Sequence, residues 1–543
     1  VTNTSNLAPQ RPMVAPATLG STHVSIVWDK PVDYREVTGY VVLLDGHQIL
    51  KTTSKQTHAT VVDLQPNTQY TFEVRSLFPQ GRIVAATKKI GVKTRPAAQL
   101  IDVTQAPYAA DPTGKRLSTA ALQRAITDCP KGGTVLIPKG TIVLSGAIDL
   151  KSDMVFQVDG TLQGSTDPSD YVYAQGDRSK SSQHVNADGL ILTRYEGWEM
   201  NCFRSLINAG YLTPENRMNM VCHDIRICGT GTIIGGGNQL GDGMKERYHD
   251  KQKWPQYVSD GIGGRRVRGR LLSFIQCQNV DIWNVTVKNP PCWTIHMIYC
   301  DTVTTHGVNI QSRGIDNGDG WDPDSSRNMM IFDTTFDTGD DCIAIKSGKN
   351  PEGNQINILA KNIRIFDLKM IGGHVLAIGS EESGGVDGVS LRDCVVSDTD
   401  YGVELKAHAS RGGYIRNFKM QDCRVDRFMV HSVDYNADGQ AAPTLPVFQT
   451  IQISNTQITG NGHSLEFVGF YEPQTGACSD ISDVLLDSVT LPNNGNANDP
   501  QICVKYARKI TFKNVHREDG TAPVIDADMR TIRVLRINGK QSG

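Results

Sequence analysis

Asn279-Val280-Asp281-Ile282 is a short alternation of apolar and polar residues behind an asparagine, and the chain keeps returning to it. The echoes are Thr302-Val303-Thr304-Thr305, Asn328-Met329-Met330-Ile331, Asn362-Ile363-Arg364-Ile365 and Gly388-Val389-Ser390-Leu391. They go on through Asn417-Phe418-Lys419-Met420, Thr450-Ile451-Gln452-Ile453, Asp483-Val484-Leu485-Leu486 and Lys509-Ile510-Thr511-Phe512. Val280 to Val303 is 23 residues, Ile363 to Val389 is 26, and Ile451 to Val484 is 33. A period of two is the mark of a strand. Strands that return at an uneven interval, punctuated by Asn, Asp and Gly and almost free of helical periodicity, fit a parallel β-helix. Each coil stacks on the last at the strand spacing of ~4.8 Å. The rival architecture is a large β-sandwich, and the persistence of the repeat almost to the C-terminus weighs against it.

Upstream of the repeat a helix is predicted at Thr119–Asp128. The first 96 residues read differently again. Val24-Ser25-Ile26-Val27-Trp28 has the alternation of a half-buried strand, Gly39-Tyr40-Val41-Val42-Leu43-Leu44 is a continuous apolar run, and a Pro66-Asn67 turn leads into strict alternation through Val74. Short strands with one core Trp indicate a β-sandwich. Trp28 with Leu64-x-Pro66-x-Thr68-x-Tyr70-x-Phe72-x-Val74 resembles a fibronectin type III domain. The expected domains are thus residues 1–96, fibronectin type III-like, and 97–543, the β-helix, an all-β chain.

The net charge of −2 argues against nucleic acid as a partner and means that an anionic ligand must be held by local cations. No apolar run approaches the ~18 residues that span a membrane. The twelve cysteines fit either disulfides or buried thiols and make no paired CxxC zinc pattern, which favours an oxidising compartment only weakly. The sequence opens Val1-Thr2-Asn3, as a removed signal peptide or a trimmed start would leave it.

Four clusters carry the chemistry: Asn317-Gly318-Asp319-Gly320-Trp321-Asp322, Gly339-Asp340-Asp341-Cys342-Ile343-Ala344-Ile345-Lys346, Gly372-Gly373-His374-Val375 and Gly402-Val403-Glu404-Leu405-Lys406. Asp319 to Asp340 is 21 residues, Asp340 to His374 is 34, and His374 to Lys406 is 32, each about one coil. Stacking therefore brings them to one face. Carboxylates that close repel, and one should keep its proton beside an ionised neighbour, the pairing that glycoside hydrolysis needs. Adjacent strand residues point to opposite faces, so Asp340 and Asp341 serve one site only if the backbone bulges near Gly339.

These clusters resemble the polygalacturonases of glycoside hydrolase family 28, whose pattern is Asn-Thr-Asp, Gly-Asp-Asp-Cys, Gly-His-Gly and Arg-Ile-Lys. The resemblance spans roughly residues 100–520, and with the leading fibronectin-like domain it is similar to bacterial exopolygalacturonases. It implies a right-handed parallel β-helix; nothing in the sequence implies a cofactor, and none is expected, nor a metal. It implies Asp340 as general acid, Asp319 and Asp341 activating water for inversion, and His374 tuning the acid. It places Lys406 and Asn317 with the substrate, polygalacturonate.

The sequence departs from the pattern at three positions. Gly318 replaces Thr, with no expected effect; Val375 replaces Gly and adds bulk near the cleft; Glu404 replaces Arg. Arg411 and Arg416 are the expected replacements for that lost cation. Two long, poorly repetitive segments, 168–217 and 238–269, are expected to wall off one end of the cleft and make cutting exo, releasing short galacturonides such as digalacturonate. The alternatives are an endo-polygalacturonase, a rhamnogalacturonan hydrolase, a calcium-dependent pectate lyase and a carbohydrate-binding adhesin. A secreted or periplasmic monomer is expected.

Overall fold

The computed structural model describes residues 4–542 except 87, 180, 182–183, 397–401 and 494–498. Among them, thirty-two strands join one continuous sheet that winds as a parallel β-helix from Leu100–Asp102 to the C-terminus. The register follows the repeat: Val280 pairs with Val303, Val303 with Met329, Met329 with Ile363, and Ile363 with Val389. It continues through Phe418, Ile451, Val484 and Ile510. All nine side chains are buried in one core, each worth about 1.5–3 kcal/mol of burial.

The punctuation has a backbone cause. Asn279, Asn328, Asn362, Asn417 and Asp483 all have φ between 54° and 60°, and Gly388 has φ 86°. Each sits just before the inward-facing residue and turns the chain into the strand through the left-handed region, which Asn, Asp and Gly enter most readily. Their side chains also bond along the stack: Asn362 Nδ2 donates to Asn328 Oδ1 at 2.8 Å, and Asn328 Nδ2 to Asp301 Oδ1 at 2.9 Å. The helix Thr119–Asp128 forms as expected, turning Leu122, Ala125 and Ile126 into the core.

Residues Gln10–Lys93 form two antiparallel sheets around Trp28, Tyr40, Phe72 and Val74. The strand Val24–Asp29 is buried on both faces, not one. Its outer face is covered by the β-helix, where Ala15 and Val27 pack on Met330, Phe332 and Phe366. Polar contacts ring this patch. Lys30 Nζ lies 2.7 Å from Asp393 and 2.8 Å from Asp422, and His58 Nε2 lies 2.6 Å from Asp367. The small domain thus docks on the first half of the long strands Arg327–Ile345 and Ala360–Ile378, and leaves their second halves uncovered.

All twelve cysteines are free thiols, eleven of them buried. No helix among the described residues is long and apolar enough to cross a membrane.

Candidate active site

The second halves of those strands build the site. Trp321 is in register with Ile343, Ile343 with Leu376, and Leu376 with Val403, so four successive coils end on one face. Between Asp337 and Asp341 the strand advances four residues while its neighbour advances two, from Gly372 to His374. The surplus is a bulge, and it turns both Asp340 and Asp341 to the same side. Gly339 permits the close approach that this requires. A Cβ there would lie 2.4 Å from the carbonyl oxygen of Ile315, on the loop that carries Asp319.

Asp340, Asp341, His374, Glu404 and Lys406 line one cavity of about 320 Å³, together with Leu376, Ala377, Gly402 and Tyr435. His374 Nδ1 is 3.1 Å from Asp341 and 3.5 Å from Asp340. Burial and then the charge of Asp341 raise the Asp340 pKa, which suits a proton donor. Burial pulls His374 down, but its hydrogen bond and charge contact with Asp341 win and raise it. Burial would likewise discharge Lys406, yet Asp341 and Glu404 keep it a firmer cation than usual. Its Nζ donates to the Tyr435 hydroxyl at 3.0 Å.

Asp319 lies deeper. Its carbonyl accepts from Thr294 N, and Gly320 N donates to the Asp341 carbonyl, which sets it one coil from Asp341. Burial, followed by Asp322, Asp340 and Asp341, raises the Asp319 pKa well above the carboxylate range. Asp322 and Lys346, both buried, join this group without having been singled out from the sequence. Lys346 Nζ lies 2.7 Å from Glu381, and its charge reaches Asp319 and Asp322. The signal was present: both residues stand at the ends of the quoted clusters, at alternate positions to inward-facing Trp321 and Ile345.

Asn317 is tied to the wall beside the site, where its Oδ1 accepts from Arg265 Nε at 2.9 Å and from Arg268 at 2.5 Å. Arg411 and Arg416 do not enter the cavity. Arg411 is fully buried and donates to Ser380, Asn350 and Asn436. Arg416 belongs to the strand Tyr414–Gln421 on another face, 3.0 Å from Asp387. Two cations stand beside Glu404: Lys406, whose Nζ is 3.5 Å away, and His431, which is in register with Lys406. His431 Nδ1 is 2.7 Å from Glu466 and Nε2 is 3.4 Å from Glu404. Burial opposes its charge, but these two glutamates push its pKa up to about 9. Against burial, His431 and Lys406 pull Glu404 down to about 2.

The other two departures also resolve differently. Val375 is wholly inside the core and adds nothing to the cleft. Gly318 is not a neutral change, since a Cβ there would lie 2.9 Å from the carbonyl oxygens of Ser312 and Ile315.

The two long segments pack on each other at one side of the site. Arg265 pairs with Asp260 and Asp316, and Arg268 reaches Asp316 and the Tyr195 hydroxyl. Arg266 bridges Glu196 and Asp438 at 2.7 and 2.5 Å, drawing in the loop that also pairs with Lys349. These arginines are structural struts and not free surface charge: Arg266, Arg268 and Arg270 are all buried.

Residues 215–498 match the sequence family of glycosyl hydrolases family 28, and residues 7–83 match the fibronectin type III domain. The chain belongs to glycosyl hydrolases family 28. It is 25% identical, over 98% of its length and 94% of the relative's, to an exo-poly-alpha-D-galacturonosidase of Dickeya chrysanthemi. Among solved structures, a family 28 exopolygalacturonase of Yersinia enterocolitica superposes with a TM-score of 0.82 at 23% identity, covering 98% of this chain and all of that one. A hyperthermoactive exopolygalacturonase of Thermotoga maritima gives 0.62 at 24% identity, covering 78% of this chain and 92% of that one. Membership of family 28 makes the chain a glycoside hydrolase.

Proposed function

We propose that this family 28 hydrolase is an exo-acting polygalacturonase, cutting α-1,4-galacturonosidic bonds from a chain end with inversion and releasing short galacturonides such as digalacturonate. The observation that carries the reading is the wall at Asn317, where Arg265 and Arg268 tie the 238–269 insertion beside Asp319 and Arg268 also ties it to Tyr195 of the 168–217 insertion. A cleft blocked there admits a chain terminus and not a continuous chain. The name of the Dickeya relative supports the same mode of action.

In this reading Asp340 gives its proton to the departing glycosidic oxygen. Asp319 and Asp341 take a proton from water on the opposite face, and the resulting hydroxyl bonds to the anomeric carbon as the glycosidic bond breaks. Lys406 holds a galacturonate carboxylate, a charge-assisted contact in a partly desolvated cleft. A polymer of the plant cell wall calls for a secreted or periplasmic enzyme, acting as a monomer on one chain end.

The test is a time course of products from de-esterified polygalacturonate, with and without chelator. Saturated mono- or digalacturonate from the first time point supports the reading. Mixed oligomers with a rapid fall in viscosity point to endo action. Unsaturated products that vanish with chelator would mean a calcium-dependent lyase, in which Asp340, Asp341 and His374, whose ligand atoms lie within 4.8 Å of one another, hold a cation.

A further inference from the structure

Beside the docked small domain a recess of about 550 Å³ opens against three successive coils, the strands Ala360–Ile378, Val386–Val396 and Tyr414–Gln421. That volume falls within the ~300–1,000 Å³ of sites that take small ligands. The floor is two rows of residues in register across the coils, Arg364, Ser390 and Lys419 in one, Arg392 and Gln421 in the other. Five cations line the recess, Arg11, Lys30, Arg364, Arg392 and Lys419, against one carboxylate among the described residues, Asp29.

Lys30 is satisfied outside the recess by Asp393 and Asp422. Arg11 Nε donates to Asp29 Oδ2 at 2.6 Å and Arg364 Nη2 to Oδ1 at 2.9 Å, while Arg392 stands 3.8 Å from Oδ1 and 3.3 Å from Asp393. Lys419 is exposed and has no ion pair among the described residues. Of its five N–H donors, Arg364 spends one on Asp29 and turns another to the Met13 sulphur at 3.7 Å. Burial, joined by the charges of Arg392 and Arg11, outweighs Asp29 and holds the Arg364 pKa below its ordinary value. The recess is thus short of negative charge in a chain whose net charge is −2. The adjoining cleft, which shares Val32 and Tyr34, is lined by Asp33, Glu36 and Asp487 against Arg35, so the cationic ground ends there.

We propose that this recess is a second binding site for an anionic sugar chain, in which uronate carboxylates meet Arg364, Arg392 and Lys419 while Asn417 and Gln421 meet hydroxyls. This rests on the polygalacturonase reading, which supplies such a chain. Guanidinium forks match carboxylates. Arg364 and Lys419 stand two rungs apart, ~10 Å at the strand spacing, so more than one carboxylate can be held at once. The strand Ala360–Ile378 carries Arg364 in its first half and His374 in its second, so a polymer held here keeps its ends near the aspartates and raises their effective concentration.

The test is affinity electrophoresis through gels containing polygalacturonate, in an Asp340→Asn background that leaves the polymer uncut. Long polygalacturonate offers few chain ends, so retardation reports contacts with chain interiors. The Asp340→Asn chain should be retarded. Lys419→Glu, which leaves the ion pairs of the junction alone, should weaken that binding about 3- to 10-fold. With Asp340 restored, Lys419→Glu should raise KM for polygalacturonate by a similar factor and leave kcat and the KM for trigalacturonate unchanged. Arg364→Gln should act in the same direction and more strongly; should it not fold, Lys419→Glu decides. Equal retardation of Lys419→Glu and its parent overturns the proposal, and so does retardation by poly-L-glutamate as strong as that by polygalacturonate. If the enzyme with Asp340 intact releases no reducing ends from polygalacturonate, the polygalacturonase reading falls, and the gel comparison, which needs no turnover, still decides the recess.

Discussion

His374 and Asp341, 33 residues apart in the chain, are register partners on neighbouring coils, and the imidazole Nδ1 lies 3.1 Å from the carboxylate. The contact is fixed by the backbone ladder, so the imidazole is aimed before substrate arrives.

Because Asp341 raises the His374 pKa, the interaction stabilises the fold fully below the unfolded histidine value of ~6.5 and fades as pH rises through the higher folded value. Thermal melts should therefore show His374→Gln furthest below the unmodified protein near pH ~6 and converging with it toward pH ~9. Equal gaps at both pH values would contradict the assignment.

Lys406 is the cation that reaches the cavity beside the aspartates. Lys406→Met should raise KM for trigalacturonate about 10- to 100-fold, the worth of a charge-assisted hydrogen bond, and reduce kcat less. Steady-state kinetics at two salt concentrations check this, since only the unmodified enzyme's KM should rise strongly with salt.

Arg265 holds the outer insertion on Asn317 and Asp316 while keeping some contact with solvent. Arg265→Ala should loosen the wall without opening the core. Early products from polygalacturonate should then include oligomers longer than two units; an unchanged product pattern would separate the wall from the mode of cutting.

Lys30 is nearly buried between Asp393 and Asp422. Lys30→Met leaves two carboxylates without their cation at the domain junction, a loss of about 3–5 kcal/mol. Denaturant unfolding should show an earlier transition for the small domain, and activity below that transition should be retained, since the junction lies away from the cavity.

Much of this was legible beforehand because a β-helix writes its register into its corners. A residue in the left-handed region (Asn, Asp, Gly or Thr) followed by an inward aliphatic marks one rung, and Val280, Val303, Ile363, Val389, Ile451 and Val484 line up in the fold as they do in the sequence. Burial of Val24–Asp29 from both sides was not legible, because cover by a distant domain leaves no trace in local alternation. Arg411 and Arg416 misled for a related reason. Only four residues separate Lys406 from Arg411, but the chain leaves the face through the turn Ala409–Arg411, and proximity in sequence says nothing of the sheet that follows. Asp322 and Lys346 needed the third dimension, since what matters about them is their burial beside Asp319 and the reach of one charge across two coils.

The coil from Ile451 to Val484 is ten residues longer than the one from Val280 to Val303, yet both close on the same rung. Extra chain leaves between corners and returns without disturbing its neighbours. The scaffold therefore separates two kinds of inheritance: the column that holds the aspartates is kept in step by the corners, while the walls around it are free to lengthen, shorten or be exchanged. A hydrolase on such a frame can change the shape of what it admits without moving the atoms that cut it.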